Sequence, residues 1–317
     1  MTASSALRNI AIFGAGGHNI GHHILLALLA NPAFKVTVIA RASSSTAFPP
    51  EAHVLRIPDT PSHSDLVTAF KDQDVILSAV GYPAKLTEPQ LIDAAIEAGV
   101  KRFIPSEYGL NNDLPAARAL NPVFEAKGKV IDYLRSKEST GLTWTSVATG
   151  MWLDWSLDPN IAFLGMNPKT KSATLYDQGQ HTLSFTTLPW AALAIVKMLE
   201  LDPQKTANRV FPVRAFETSQ KQIVAELEKQ QGVTWKNEEL DVASHIKEQK
   251  EKLAGGDKNA IYALIAVGFL TKGYGSDLVG EGIVPVGSDE LEGLPEITLV
   301  SVVKEALGRL EKGERTY

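Results

Sequence analysis

The chain has 317 residues, 44% hydrophobic and 21% charged, a composition that suits a globular protein of one large or two medium domains. A formal net charge of −5 argues against a nucleic-acid-binding surface, and the absence of cysteine removes disulfides, thiolate metal sites and a cysteine nucleophile. No signal-peptide-like N-terminus is visible and no apolar run reaches the roughly 18 residues of a membrane span, so a cytoplasmic protein without membrane partners is expected.

The first elements are the most informative. A short apolar strand, Ile10–Phe13, runs into the turn Gly14-Ala15-Gly16-Gly17-His18-Asn19-Ile20-Gly21, and the stretch that follows, to Ala30, reads as a helix. Such a turn lets backbone N–H groups approach a pyrophosphate at the positive end of a helix dipole. A second strand, Lys35–Ala40, arrives where a βαβ unit needs it. At its end stands Arg41, followed by Ala42 and three serines, with no carboxylate between Lys35 and Pro50. A site for NAD places Asp or Glu there, whereas Arg suits the extra phosphate of NADP. The cofactor expected is therefore NADPH. Metal binding by His18, His22 and His23 is not expected, because no carboxylate stands near to complete a site.

Further strands are expected near His53–Ile57, Val75–Ala79, Arg102–Pro105 and Thr143–Ala148, with helices near Ser64–Lys71, Glu88–Ala98 and Val123–Lys137. This alternation predicts an α/β fold: a Rossmann-type, doubly wound parallel sheet covered on both faces. After Gly150 the pattern changes. Met151, Trp152 and Trp155 come in quick succession, then Pro and Gly breaks, then helical stretches at 189–201 and 219–231 and a charged run to Gly255-Gly256. The expected division is a cofactor-binding domain over 1–150, rejoined by a segment near 183–213, and a smaller, mostly helical substrate domain over 151–317.

The helix at Val123–Lys137 carries an anomaly. On a helical wheel, Val123, Val130, Ile131 and Leu134 fall within about 60° of Lys127, while Lys129 falls opposite. A lysine in an apolar stripe either snorkels to solvent or does chemistry. Asn121-Pro122 suits a cap and a first-turn proline, which puts Lys127 in the second turn, near the dipole's positive end, where its pKa is expected to fall and proton exchange near neutral pH becomes accessible. Tyr133 and Lys137 also match a Tyr-x-x-x-Lys pair. They occupy the last turn, however, at the end of the helix away from the strands' carboxyl ends where ligands gather. The same argument places Lys127 near the cofactor.

The glycine turn, the run Ser78-Ala79-Val80-Gly81, the stretch Leu91–Gly109 containing Arg-Phe-Ile-Pro-Ser-Glu-Tyr-Gly, and Phe124-Glu125-Ala126-Lys127-Gly128-Lys129-Val130 together resemble the isoflavone reductase-like, NmrA-like atypical short-chain dehydrogenases. A C-terminal stretch, Gly268–Gly273, is similar to the same group. The resemblance implies NADPH as hydride donor and Lys127 as general acid or base. It implies cofactor contacts at Gly14, Gly16, Gly17, His18, Asn19, Ile20, Gly21, Arg41, Ser78, Ala79, Val80, Gly81 and Lys127. Tyr108, Met151, Trp152 and Trp155 would line the substrate pocket. The turn departs from the family in having three residues, His18, Asn19 and Ile20, where two usually separate the last glycines.

Two functions follow as expectations. One is an NADPH-dependent reductase acting on a small, aromatic or conjugated molecule. The other is an NmrA-like regulator that senses NADP(H) without turnover. The inward lysine favours the enzyme. Oligomeric state is not set by the sequence, and a homodimer is compatible with it.

Overall fold

A computed structural model describes residues 6–17, 19–81, 87–158, 161, 163–278 and 291–314. His18, expected at the cofactor, lies outside the described residues. The elements from the N-terminus are β1 (Asn9–Phe13), α1 (Ile20–Leu29), β2 (Lys35–Arg41), β3 (His53–Ile57), α2 (His63–Phe70), β4 (Val75–Ser78), α3 (Glu88–Glu97) and β5 (Arg102–Ile104). Next come α4 (Pro115–Leu120), α5 (Pro122–Ser136), β6 (Thr143–Ala148), β7 (Met151–Trp152), α6 (Leu153–Ser156), β8 (Met166–Asn167), β9 (Ser172–Tyr176) and β10 (Thr182–Thr186). The chain closes with α7 (Leu188–Glu200), α8 (Pro203–Thr206), β11 (Arg209–Pro212), β12 (Phe216–Ser219), α9 (Gln220–Gln231), β13 (Lys236–Leu240), α10 (Val242–Ala254), α11 (Ala260–Leu270) and α12 (Leu299–Lys312).

The chain forms two units. The first takes in residues 1–108, 129–147 and 192–211, the second residues 109–128, 148–191 and 212–317. The first is built on a seven-stranded sheet in the order β11-β6-β5-β4-β1-β2-β3. Each neighbour pair from β6 to β3 runs parallel. The order reverses at β1, where β2 lies on one side and β4 on the other, and this reversal opens a crevice beyond the strands' carboxyl ends. Strands such as Val75–Ser78 are buried along their whole length, as expected of a parallel sheet covered on both faces. Phe13, Phe70, Phe103, Ile131, Leu134 and Trp144 belong to its apolar core.

Arg102 explains how the later segment joins this sheet. Its guanidinium is buried and donates to the hydroxyls of Thr143, Thr145 and Thr206 and to the Pro203 carbonyl. Burial among neutral oxygens pulls its pKa down to about 10. The side chain thereby ties α8 to β6, and Asn208 at the start of the next strand accepts from the Trp144 N–H at 3.0 Å.

The second unit is the larger of the two and holds more strand than the sequence pattern suggests. Two three-stranded sheets, β12-β10-β7 and β13-β9-β8, accompany α9 to α12. The strands are two to five residues long, too short for an alternating pattern to stand out. No helix among the described residues is long and apolar enough to cross a membrane.

Candidate active site

The glycine turn is shaped by contact with β4. Gly14 has φ +84°, and a Cβ there would lie 2.3 Å from the Ala79 carbonyl oxygen, so only glycine fits. A Cβ on Gly21 would meet the Gly14 carbonyl oxygen at 2.5 Å, which is the close helix-to-strand approach that the third glycine permits. Asn19 is extended, and its side chain caps the Ile20 N–H at the start of α1.

A cavity of about 680 Å³ opens beside this turn, within the first unit. Gly14, Gly16, Gly17, Arg41, Val80 and Gly81, all expected at the cofactor, line it. Among the described residues, nothing lies within 4 Å of where a Cβ on Gly17 or Gly81 would sit, which leaves their backbone open to a ligand. Ser78 and Ala79 stand at the end of β4, next to β1, and are not part of the lining. Ser78 is buried, with its hydroxyl lacking a hydrogen bond among the described residues. The turn after β2 is pinned. Arg56 Nη1 donates to the carbonyls of Arg41 and Ser44 at 3.1 and 2.8 Å, and Asp59 Oδ1 accepts from the Ser43 N–H at 3.0 Å. Arg41 is exposed and carries no side-chain hydrogen bond or ion pair among the described residues.

Sequence reasoning missed Thr46, Phe48, Pro58 and Asp59 in this cavity. Thr46 donates to the Gly16 carbonyl at 3.3 Å and so links the loop to the glycine turn. The only local signal was Phe48 standing before two prolines, which carries no motif.

Tyr108 also lies in the first unit. Burial, with the nearby carboxylates of Glu88 and Glu107, raises its pKa well above the ordinary tyrosine value, and its hydroxyl has no hydrogen-bond partner among the described residues. Glu88 accepts from the Ser106 N–H and Ser106 donates to the Val80 carbonyl, so the ends of β4 and β5 are held to the start of α3.

Lys127 belongs to the second unit. Asn121 caps α5 by accepting from the Val123 N–H at 2.7 Å, and its amide donates to the Ile261 carbonyl. Lys127 follows in the second turn, half-buried, with Val123, Ile131 and Leu134 buried on the same stripe and Lys129 exposed. Arg118 lies across the helix at Gly128. It donates to the Asn112 and Gly128 carbonyls at 2.8 and 3.0 Å, and a Cβ on Gly128 would come within 2.2 Å of its Nε.

One turn before Lys127, Phe124 begins a row of rings within the same unit. Phe124 meets Phe269 edge-to-face at 6.4 Å, Phe269 meets Phe163 at 6.4 Å, Phe163 meets Trp155 at 5.4 Å and Trp155 meets Trp152 at 6.3 Å. Phe124 is buried; the other four are half-buried and so present ring surface. Met151 is buried in the core of this unit. Phe163 and Phe269 escaped the sequence reading because no local spacing relates them to Trp152 and Trp155, and only the fold joins them. Tyr133 and Lys137 are otherwise engaged. Tyr133 donates to Asp93 at 2.6 Å, Lys137 pairs with Asp93 at 3.3 Å, and the ammonium sits 4.7 Å over the Tyr133 ring.

A glycine turn at the sheet's reversal point, beside a cavity rimmed by Arg41, is the pattern that comparison with known proteins can decide. Residues 7–254 match the NmrA-like family. The chain belongs to this family. Across 305 residues it is 35% identical to the protein named oxidoreductase aprR of Aspergillus flavus, covering 96% of this chain and 99% of that one. This NmrA-like protein is accordingly an oxidoreductase. Its fold is similar to a crystal structure of isoflavone reductase (TM-score 0.72, 21% identity, 94% of this chain and 99% of that one). It is also similar to AtPrR2 with NADP+ and (+)pinoresinol (TM-score 0.71, 20% identity, 96% and 99%).

Proposed function

We propose that this NmrA-like protein is an NADPH-dependent reductase of a small aromatic or conjugated molecule, with Lys127 as general acid or base. The observation that carries the reading is the row of rings, four of them half-buried, that begins at Phe124 one helical turn from the half-buried Lys127, in a chain that also holds an open glycine cradle.

The residues of the cavity fit NADPH. Gly14, Gly16 and Gly17 would hold the pyrophosphate through their backbone, as the open position of Gly17 supports. Arg41 would meet the 2′-phosphate with its planar fork of donors. Phe48, Ile57 and Pro58 offer flat apolar walls to the adenine ring. Val80 and Gly81 extend the lining past the end of β4. Bound there, NADPH supplies the hydride.

The rest of the chemistry belongs to the chain. Reduction of a carbonyl or conjugated double bond leaves negative charge on the substrate, and Lys127 holds the proton that neutralises it on Nζ. The rings of Trp152, Trp155, Phe163 and Phe269 orient a flat substrate and keep water from it. NADPH oxidation measured against a panel of aromatic ketones, enones and aryl ethers tests the reading. A substrate found in that panel should lose at least about a hundredfold in kcat with Lys127→Ala, while the Kd for NADPH stays within about twofold. Unchanged turnover in the variant removes the proton-transfer role.

A further inference from the structure

Two half-buried tryptophans flank one buried acid. Asp154 sits in α6, between Trp152 and Trp155, and is only 7% exposed. The helix is a single turn of four residues, too short to hold its own geometry. The Asp154 carboxylate ties it to α7, beside the bonds from Trp152 Nε1–H to Thr149 Oγ1 at 3.0 Å and from the Ser156 hydroxyl to the Trp152 carbonyl at 2.7 Å. Asp154 Oδ1 accepts from the Trp155 N–H at 2.9 Å, and Oδ1 and Oδ2 accept from the Leu188 N–H at 3.1 and 3.2 Å. Leu188 is the first residue of α7, whose N-terminal N–H groups favour a negative partner. The carboxylate thus ties the turn that carries both indoles to the start of a thirteen-residue helix.

We propose that Asp154 is a positioning residue that aims the Trp152 and Trp155 rings by anchoring α6 to the first N–H of α7. The functional meaning of that aim rests on the reading of those rings as the substrate wall. Asp154 touches no reacting atom in this scheme; it acts through the two indoles.

Among the described residues, α12 supplies the charges that act on Asp154. α12 packs on α6 and presents Arg309 and Glu305, which pair with each other. The first turn of α7 carries no acidic side chain, and α6 has no other ionisable group. Burial raises the Asp154 pKa to about 6, against the lowering effect of the Leu188 and Trp155 N–H groups and Arg309; Glu305 adds to the rise. The anchor is at full strength when the carboxylate is ionised, since the anion accepts both N–H groups more strongly than the neutral acid. Its loosening on protonation therefore gives the anchor a signature that mere packing lacks.

The experiment is a fluorine NMR titration of the whole protein labelled with 5-fluorotryptophan, which has five tryptophans to report. Trp152→Phe and Trp155→Phe assign the two resonances of interest. Between pH 5 and 8 these two should shift together with a midpoint near 6, Trp144 and Trp235 staying in place. Asp154→Asn, which keeps an acceptor oxygen but cannot ionise, should abolish the transition. Two milder variants keep the test open if that one folds poorly. Arg309→Gln should raise the midpoint and Glu305→Gln should lower it. Invariant Trp152 and Trp155 resonances in the unmodified protein overturn the proposal. So does a transition that survives Asp154→Asn, or a midpoint indifferent to both α12 variants. No substrate is needed, so failure here is separate from failure to find an aromatic substrate.

Discussion

Arg41 carries the proposed preference for a phosphorylated cofactor. It stands at the end of β2 on the rim of the glycine-lined cavity, and among the described residues nothing neutralises it. A hydrogen bond between charged groups is worth about 1.5–3 kcal/mol, so Arg41→Ala should weaken NADPH binding by about tenfold to a hundredfold. NADH, which lacks the phosphate, should lose less than about twofold. Fluorescence titration with both cofactors distinguishes the two, and equal losses would remove the phosphate contact. Both Arg41 and Lys127 stand out in the sequence, because each breaks a local rule: a cation where a carboxylate is usual, and a lysine on an apolar stripe. Tyr133 and Lys137 match a motif equally well, yet they serve Asp93. A four-residue spacing fixes only that two side chains share a helix face, not what that face meets.

At the scale of elements, α5 is set by its start. Asn121 caps the helix with its oxygen and holds the Ile261 carbonyl of α11 with its amide. Asn121→Ala loses both bonds. The expected cost is about 2 kcal/mol of unfolding free energy, read from the urea midpoint at unchanged m-value. An Asn121→Asp variant, which keeps the cap alone, should recover part of it. The ends of β1 to β6 and of the helices α1, α2, α3 and α5 could be read to within a residue or two, since caps, glycines and apolar runs are local signals, whereas β11 of the same sheet was expected only as a returning segment near 183–213. The short strands β7 and β8 could not, because two residues have no period and become strand only when partners at β10 and β9 pair with them.

For the whole molecule, Asp154 links stability to pH. Its folded pKa, about 6, lies above the ordinary carboxylate value of 3.8, so the folded state binds the proton more tightly than the unfolded chain. The contribution to stability is therefore full below about pH 4 and is lost as pH rises through 6, by at most about 3 kcal/mol relative to a residue that does not titrate. Urea unfolding of the natural protein and Asp154→Asn at pH 4 and pH 7 should show the natural protein losing ground to the variant at the higher pH. A constant difference between the two would contradict the burial of this charge. The sequence by itself determined the parallel sheet, the cofactor turn, the arginine at its rim and the unusual lysine, because each rests on neighbours within a few residues: a strand run, a glycine spacing, a helical period. Only the tertiary structure decided which rings stand in one row, that Phe48 and Asp59 share the cavity with Gly16, and that Asp154, already set between two tryptophans in the sequence, is buried against the Leu188 N–H. Those facts depend on contacts between residues far apart in the chain, and burial and pairing across such distances leave no mark on local composition.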